Sequence, residues 1–178
     1  YLFLITKQPM NNNINFNKKI FSADALALQV RKWREQNEKI IFTNGCFDIL
    51  HKGHIELLKF SKNQGDKLIV AIDSDERVRL LKGKDRPINN EEDRRKVLET
   101  NMYVDSVVTF NSSEELKTLY ETLCPDVVVK GSEWTADELR ERDEIPDTIQ
   151  VKVYPLVGDY STTNTMEKIR NMGSCEKI

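Results

Sequence analysis

The stretch FTNGCFDILHKGHIELLKF, residues 42–60, holds both histidines of the chain, His51 and His54, with Lys52 and Gly53 between them. The residues that lead into it, KIIFTNG (39–45), are an apolar run that ends on a glycine, which reads as a buried strand entering a turn. A helix is expected from about Gly53 to Asn63, with Ile55, Leu58 and Leu57 facing inward.

The same alternation continues outward. DKLIVAID (66–73), DSVVTF (105–110), PDVVVKG (125–131) and TIQVKVYP (148–155) each read as a strand. Between them lie helical patterns. Ser22 caps a helix to about Gln36 with Leu26, Val30 and Trp33 on one stripe. Ser74 caps a short helix carrying Val78 and Leu81, and further helices are expected at Glu91–Asn101, Ser113–Leu123 and Ser161–Met172. KGKDRPINNEED (82–93) is polar, contains Pro87, and reads as a loop. Continuous apolar strands alternating with helices define an α/β fold with a parallel sheet of about five strands, covered on both faces. In such sheets ligands sit beyond the carboxyl ends of the strands, so the turns after the strands are where function is sought.

Composition narrows the classes. Hydrophobic residues make up 39% and charged residues 31%, as in a soluble globular protein. Twenty-seven basic against 29 acidic residues give a net charge of -2, which argues against a nucleic-acid-binding face. No apolar run approaches the ~20 residues of a membrane span, so no membrane partner is expected. Three scattered cysteines, Cys46, Cys124 and Cys175, form no CxxC pair, and fit a reducing, cytoplasmic setting with no protein-held metal. Residues 1–17 are expected to be a disordered or non-native extension, and 18–178 a single domain.

His51 and His54 open the helix after the first strand, on one face. The tip of that helix offers backbone N–H groups and a partial positive charge, an anion site by construction. Gly53 removes a side chain where a large ligand approaches. Imidazoles there donate to phosphate oxygens and take up charge as it builds. Two surface histidines that are neighbours by chance are the plainer alternative. A metal pair lacks an obvious third ligand.

The HKGH element resembles the HxGH signature of the cytidylyltransferase-like nucleotidyltransferases. The likeness extends, in order, through IIFTNGCFDILHKGHIELL, GDKLIVAIDSD, LKGKDRPINNEEDRRKVLE, YVDSVVTF, PDVVVKG and STTNTMEKIR, spanning roughly residues 40–170. LKGKDRP, VDSVVTF and VKG are most similar to the adenylyltransferase domain of the heptose-phosphate enzymes that make ADP-heptose for lipopolysaccharide. GSEW (131–134) leans toward the glycerol-3-phosphate cytidylyltransferases, a CTP-using alternative. A nucleotide-binding regulatory protein without turnover is the alternative from another class.

The resemblance implies a Rossmann-like, doubly wound nucleotidyltransferase domain over 18–178. It implies AMP transfer from ATP to a sugar 1-phosphate, D-glycero-β-D-manno-heptose 1-phosphate in the closest branch, with release of pyrophosphate. Mg²⁺ is expected through the triphosphate oxygens. By the same resemblance His51, His54 and Lys82 would be catalytic. Asn44, Gly45, Phe47, Asp48, Lys84, Arg94, Ser161, Thr162 and Thr163 would hold the nucleotide. Asp48 would organise the turn rather than act as a base, and Arg94 would contact phosphate or loop. Lys130, Gly131, Glu133 and Trp134 would face the acceptor. Lone lysines in charged loops are ordinarily just solvated, Ser161 could be an ordinary cap, and Arg94 could pair within its own helix. Relatives are commonly dimeric, so a homodimer is expected from the likeness alone. A fused kinase segment is not among these residues, so a separate sugar kinase is expected upstream. Two departures stand out: no arginine lies a few residues before STT, unlike the cytidylyl branch, and SEW follows VKG where the heptose branch typically has an aspartate and a smaller aromatic pattern.

Overall fold

The computed structural model describes residues 22–131, 134–155 and 160–172. The expectations for residues 1–17 lie outside them. Five strands, β1 (Ile40–Gly45), β2 (Lys67–Asp73), β3 (Ser106–Phe110), β4 (Val127–Gly131) and β5 (Gln150–Tyr154), form one sheet in the order β3-β2-β1-β4-β5. Every pairing is parallel. This is the doubly wound, Rossmann-like α/β arrangement, and its order reverses between β1 and β4. The helices are α1 (Ala23–Glu35), α2 (Lys52–Lys62), α3 (Asp75–Lys82), α4 (Glu91–Glu99), α5 (Ser113–Leu123), α6 (Ala136–Arg142) and α7 (Thr162–Met172).

Strand residues alternate between two cores, which explains why the strands read as unbroken apolar runs. On one face Phe42, Ile69, Ala71, Val108 and Val128 meet Leu26, Val30 and Trp33 of α1 and Leu116, Leu119, Tyr120 and Leu123 of α5. On the other Ile41, Leu68, Val70, Val107, Val127 and Val129 meet Leu57 and Leu58 of α2 and Leu98 of α4. The α5 positions recur at i, i+3, i+4 and i+7, and each large side chain withdrawn from water stabilises the fold by roughly 1.5–3 kcal/mol.

Two packing expectations are corrected. Leu81 is exposed, because α3 lies at the rim and buries only Val78. In α2 the inward pair is Leu57 and Leu58, with Ile55 half-buried. The α6 helix was missed by periodicity, since its seven residues bury only Leu139. Its signal was chemical: Thr135 and Glu138 form a capping box, with the Thr135 N–H donating to Glu138 at 2.7 Å. Among the described residues no helix is long and apolar enough to cross a membrane. Cys46 and Cys124 are free thiols, and Cys175 lies outside the described residues.

Candidate active site

A cavity of about 510 Å³ opens beyond the carboxyl ends of β1 and β4, where the strand order reverses. Its walls come from chain segments more than a hundred residues apart: the turn Asn44–Asp48, the start of α2, the end of α3, Lys130–Gly131, and Ser161–Thr163 at the tip of α7.

The turn after β1 is built by its sequence. Phe47 takes a positive φ of 47°, a left-handed conformation that reverses the chain and drops its ring into the core. A Cβ on Gly45 would come within 3.3 Å of that ring, so the glycine admits the aromatic. Phe47 in turn supports His54, ring centroid to ring centroid at 5.1 Å.

His51 and His54 stack with centroids 3.8 Å apart and planes inclined by 19°. Nδ1 of each ring is buried without a hydrogen-bond partner. Burial pushes the His54 imidazole down to about 4, with His51 beside it adding to the shift. Burial lowers His51 as well. Both rings are therefore neutral near pH 7, and two cations at 3.8 Å would repel. His51 occupies the N-cap position of α2 in extended conformation, yet its side chain makes no capping bond. The His54 N–H already donates to the His51 carbonyl at 3.0 Å, so it is the first two amides of the helix, those of Lys52 and Gly53, that this tip offers as donors beside the cavity. A Cβ on Gly53 would stand 3.1 Å from His51 Nδ1 and 3.3 Å from Tyr160 Cβ. Glycine is what lets Tyr160 close against this tip.

Asp48 organises a loop. Its carboxylate is fully enclosed and ion-pairs with Arg86 at 2.7 Å. It also accepts from the backbone N–H groups of Ile88 and Asn89 at 2.9 and 2.8 Å. Those contacts swing residues 83–90 over the turn and set Arg86 on the cavity wall. Lys82, the last residue of α3, joins it there, and Gly83 with φ 96° turns the chain away. Across the cavity, Lys130 donates to Asn44 Oδ1 at 2.6 Å, tying β4 to β1. Ser161 Oγ accepts from the Asn164 N–H at 3.0 Å and so caps α7. Its neighbours Thr162 and Thr163 line the cavity with it.

Of the residues singled out in the sequence, the cavity gathers Asn44, Gly45, Phe47, Asp48, His51, His54, Lys82, Lys130, Gly131, Ser161, Thr162 and Thr163. Three are placed elsewhere. Arg94 is buried beneath the turn and donates to the Cys46 carbonyl at 2.7 Å, the Asn89 carbonyl at 3.1 Å and Asp75 at 2.7 Å. Its guanidinium is committed to holding the turn, and its carboxylate partner comes from α3 rather than from its own helix. Lys84 is exposed and off the cavity wall, because the loop points it to solvent. Trp134 also lies off the wall, stacked on Arg142 at 4.9 Å. Glu133 lies outside the described residues.

Sequence reasoning missed Lys52, Arg86, Tyr154 and Tyr160 as lining residues. Lys52 had a signal, since it sits inside the histidine element. Arg86 could be placed only through its distant partner Asp48. Cys46 also lines the cavity, but burial and the nearby Asp73 carboxylate push its thiol up to about 11, which leaves it a poor nucleophile at neutral pH.

The wall thus combines two helix tips, two imidazoles and the cations Lys52, Lys82, Arg86 and Lys130, a surface suited to a polyanion. Comparison with known proteins agrees. The cytidylyltransferase-like family matches residues 42–171, and the chain belongs to that family. It is similar to the bifunctional protein HldE of Koribacter versatilis (strain Ellin345), 42% identical over 151 residues, which are 84% of this chain and 31% of that protein. It is likewise similar to the bifunctional protein HldE of Marinomonas sp. (strain MWYL1), 43% identical over 159 residues, 89% of this chain and 33% of that one. The chain therefore spans about a third of the length of these relatives. Among solved structures, the lipopolysaccharide core biosynthesis protein from Thermoplasma volcanium GSS1 is 31% identical with a TM-score of 0.56, covering 70% of this chain and 99% of that one.

Proposed function

We propose that the chain transfers the adenylyl group of ATP to a sugar 1-phosphate, with a heptose 1-phosphate as the acceptor, giving an ADP-sugar and pyrophosphate. A phosphate oxygen of the acceptor attacks the α-phosphorus. The bond from that phosphorus to the bridging oxygen of pyrophosphate breaks, and pyrophosphate leaves with the electron pair. The nucleophile is already an anion, so no general base is required. This agrees with Asp48 being committed to Arg86.

The observation that carries the reading is the stacked His51–His54 pair at one helix tip, sharing a single cavity with Ser161–Thr163 at another. Charge accumulates on the five-coordinate phosphorus, and fixed donors and cations placed around it lower the barrier. His51 and His54 meet the triphosphate, Lys82 and Arg86 neutralise it from the loop side, and Ser161–Thr163 hold its far end. Among the described residues no group of three or more His, Cys, Asp or Glu could hold a metal. A Mg²⁺ would instead be carried on the nucleotide's own oxygens, and would add to the charge neutralisation that Lys52, Lys82 and Arg86 supply from the wall. The likeness to proteins named for HldE and for lipopolysaccharide core biosynthesis supports the heptose acceptor.

The test is pyrophosphate release with ATP, CTP, GTP and UTP, each against a panel of sugar 1-phosphates and glycerol 3-phosphate. ATP with D-glycero-β-D-manno-heptose 1-phosphate is expected to be fastest. Release with CTP and glycerol 3-phosphate alone overturns the adenylyl assignment. Nucleotide binding with no release for any acceptor overturns the enzyme reading.

A further inference from the structure

Lys130 is the most deeply buried cation of the cavity wall, 7% exposed, and it stands at the carboxyl end of β4. A buried ammonium needs fixed acceptors to remain where it is and to remain charged. Two are present. One is Asn44 Oδ1, at 2.6 Å, and the Tyr120 hydroxyl reaches the same oxygen at 3.3 Å. The other is the carboxylate of Asp143, at 2.5 Å.

Asp143 lies thirteen residues beyond Lys130, at the C-cap of α6, and does not line the cavity. It is itself held rigidly. Arg142 grips it through both arms of the guanidinium, Nε to Oδ1 at 2.8 Å and Nη2 to Oδ2 at 3.2 Å. The backbone N–H of Asp143 closes α6 by donating to the Leu139 carbonyl at 3.0 Å, and Leu139 is fully buried. The capping box at Thr135 fixes the other end of the helix. The seven residues of α6 therefore deliver one carboxylate to one ammonium.

We infer that Asp143 is a positioning residue for the transfer reaction, holding the Lys130 ammonium charged and aimed at the phosphates. This rests on the nucleotidyl-transfer reading of the cavity. The groups that face Lys130 are Asp143 and Arg142 from α6, Asp73 from β2, and the Asn44 amide and Tyr120 hydroxyl. Burial pulls the ammonium below its ordinary value, while Asp143 opposes that pull and Asp73 does so more weakly. Burial also pushes the Asp143 carboxyl up, but the hydrogen bonds from Arg142 and Lys130 outweigh it and keep the group ionised. Without Asp143 the lysine would lose its proton at lower pH, and the cavity would lose a cation.

The experiment has a catalytic and a non-catalytic arm. In the first, the pH profile of kcat/KM is measured for wild type and Asp143→Asn. The alkaline limb is expected to move to lower pH by roughly 1–3 units. In the second, the Lys130 ¹³Cε resonance, assigned by its loss in Lys130→Met, is titrated in both proteins without substrate. The same displacement is expected there. Equal Lys130 titration in the two proteins overturns the proposal. A displaced titration in a protein that turns over no substrate upholds the placement of Asp143, and sinks the transferase reading instead. If Asp143→Asn is too unstable to titrate, its cause must be the unpaired lysine. Adding Lys130→Met should then restore the melting temperature, and failure of that rescue overturns the proposal.

Discussion

Replacing Asp48 by Asn tests how the cavity's loop wall is held. The carboxylate has no exposed surface, and Arg86, its partner at 2.7 Å, is 10% exposed at the side chain. Oδ1 accepts from the Ile88 and Asn89 N–H groups, and Oδ2 accepts from Arg86 Nε. In Asp48→Asn the amide oxygen can retain the two backbone donors, but its NH₂ then faces the Arg86 N–H, donor against donor. Arg86 is left buried and unpaired. Breaking a buried ion pair on one side costs about 3–5 kcal/mol, against a total stability of roughly 5–15 kcal/mol for a domain. At about 2–4 °C per kcal/mol for a chain of this size, the melting temperature should fall by roughly 6–20 °C. Nucleotide affinity should fall with it, since residues 83–90 lose their tether and Arg86 its aim. Calorimetric melting with and without ATP measures both. A variant that melts within 2 °C of wild type and binds ATP equally well refutes the reasoning that Asp48 is the loop's anchor.

Three further outcomes follow from the geometry. The His54 imidazole is lowered from 6.5 to about 4 by burial and by His51, so between these values the unfolded chain binds more protons than the folded one. Stability should therefore decline as pH falls from about 6.5 toward 4 and the decline should flatten in His54→Phe, as read by urea melts across that window. Gly53→Ala places a methyl 3.1 Å from His51 Nδ1 and 3.3 Å from Tyr160 Cβ while gaining up to about 1 kcal/mol of helix propensity; the melting temperature should hold or rise while turnover drops at least about tenfold. Lys82→Ala should raise the apparent KM for nucleotide, whereas Lys84→Ala, off the cavity wall, should leave it within twofold in the same assay.

The sheet was legible because burial on both faces writes itself as continuous apolar runs, and strands at 39–45 and 66–73 needed nothing more. The histidine element and the hydroxyls of 161–163 were legible because their chemistry is local to a helix tip. For Arg94 the sequence leaves phosphate and loop open, because an arginine in a charged helix looks the same whether it reaches solvent, phosphate or two backbone carbonyls; only the chain's path past Cys46 and Asn89 selects the loop. Arg86 and Asp143 were invisible for the complementary reason. Their partners, Asp48 and Lys130, are remote in sequence, and neither pairing leaves a periodic trace. The α6 helix is too short for periodicity, although the T-x-x-E spacing of its capping box was there to be read.

The start of α2 carries one more consequence. Ser22, Ser74, Asn90, Ser112, Thr135 and Ser161 each accept a backbone N–H at the first turn of a helix, while His51, in the equivalent place, does not. A serine or aspartate there would make α2 a better-formed helix by about 1 kcal/mol, and would spend the amides that a ligand otherwise collects. Here foldability and chemistry compete for the same first-turn protons, and the chain has settled the contest against its own stability. Thermostabilisation that optimises helix starts across this protein would, at position 51, improve the scaffold and silence the site.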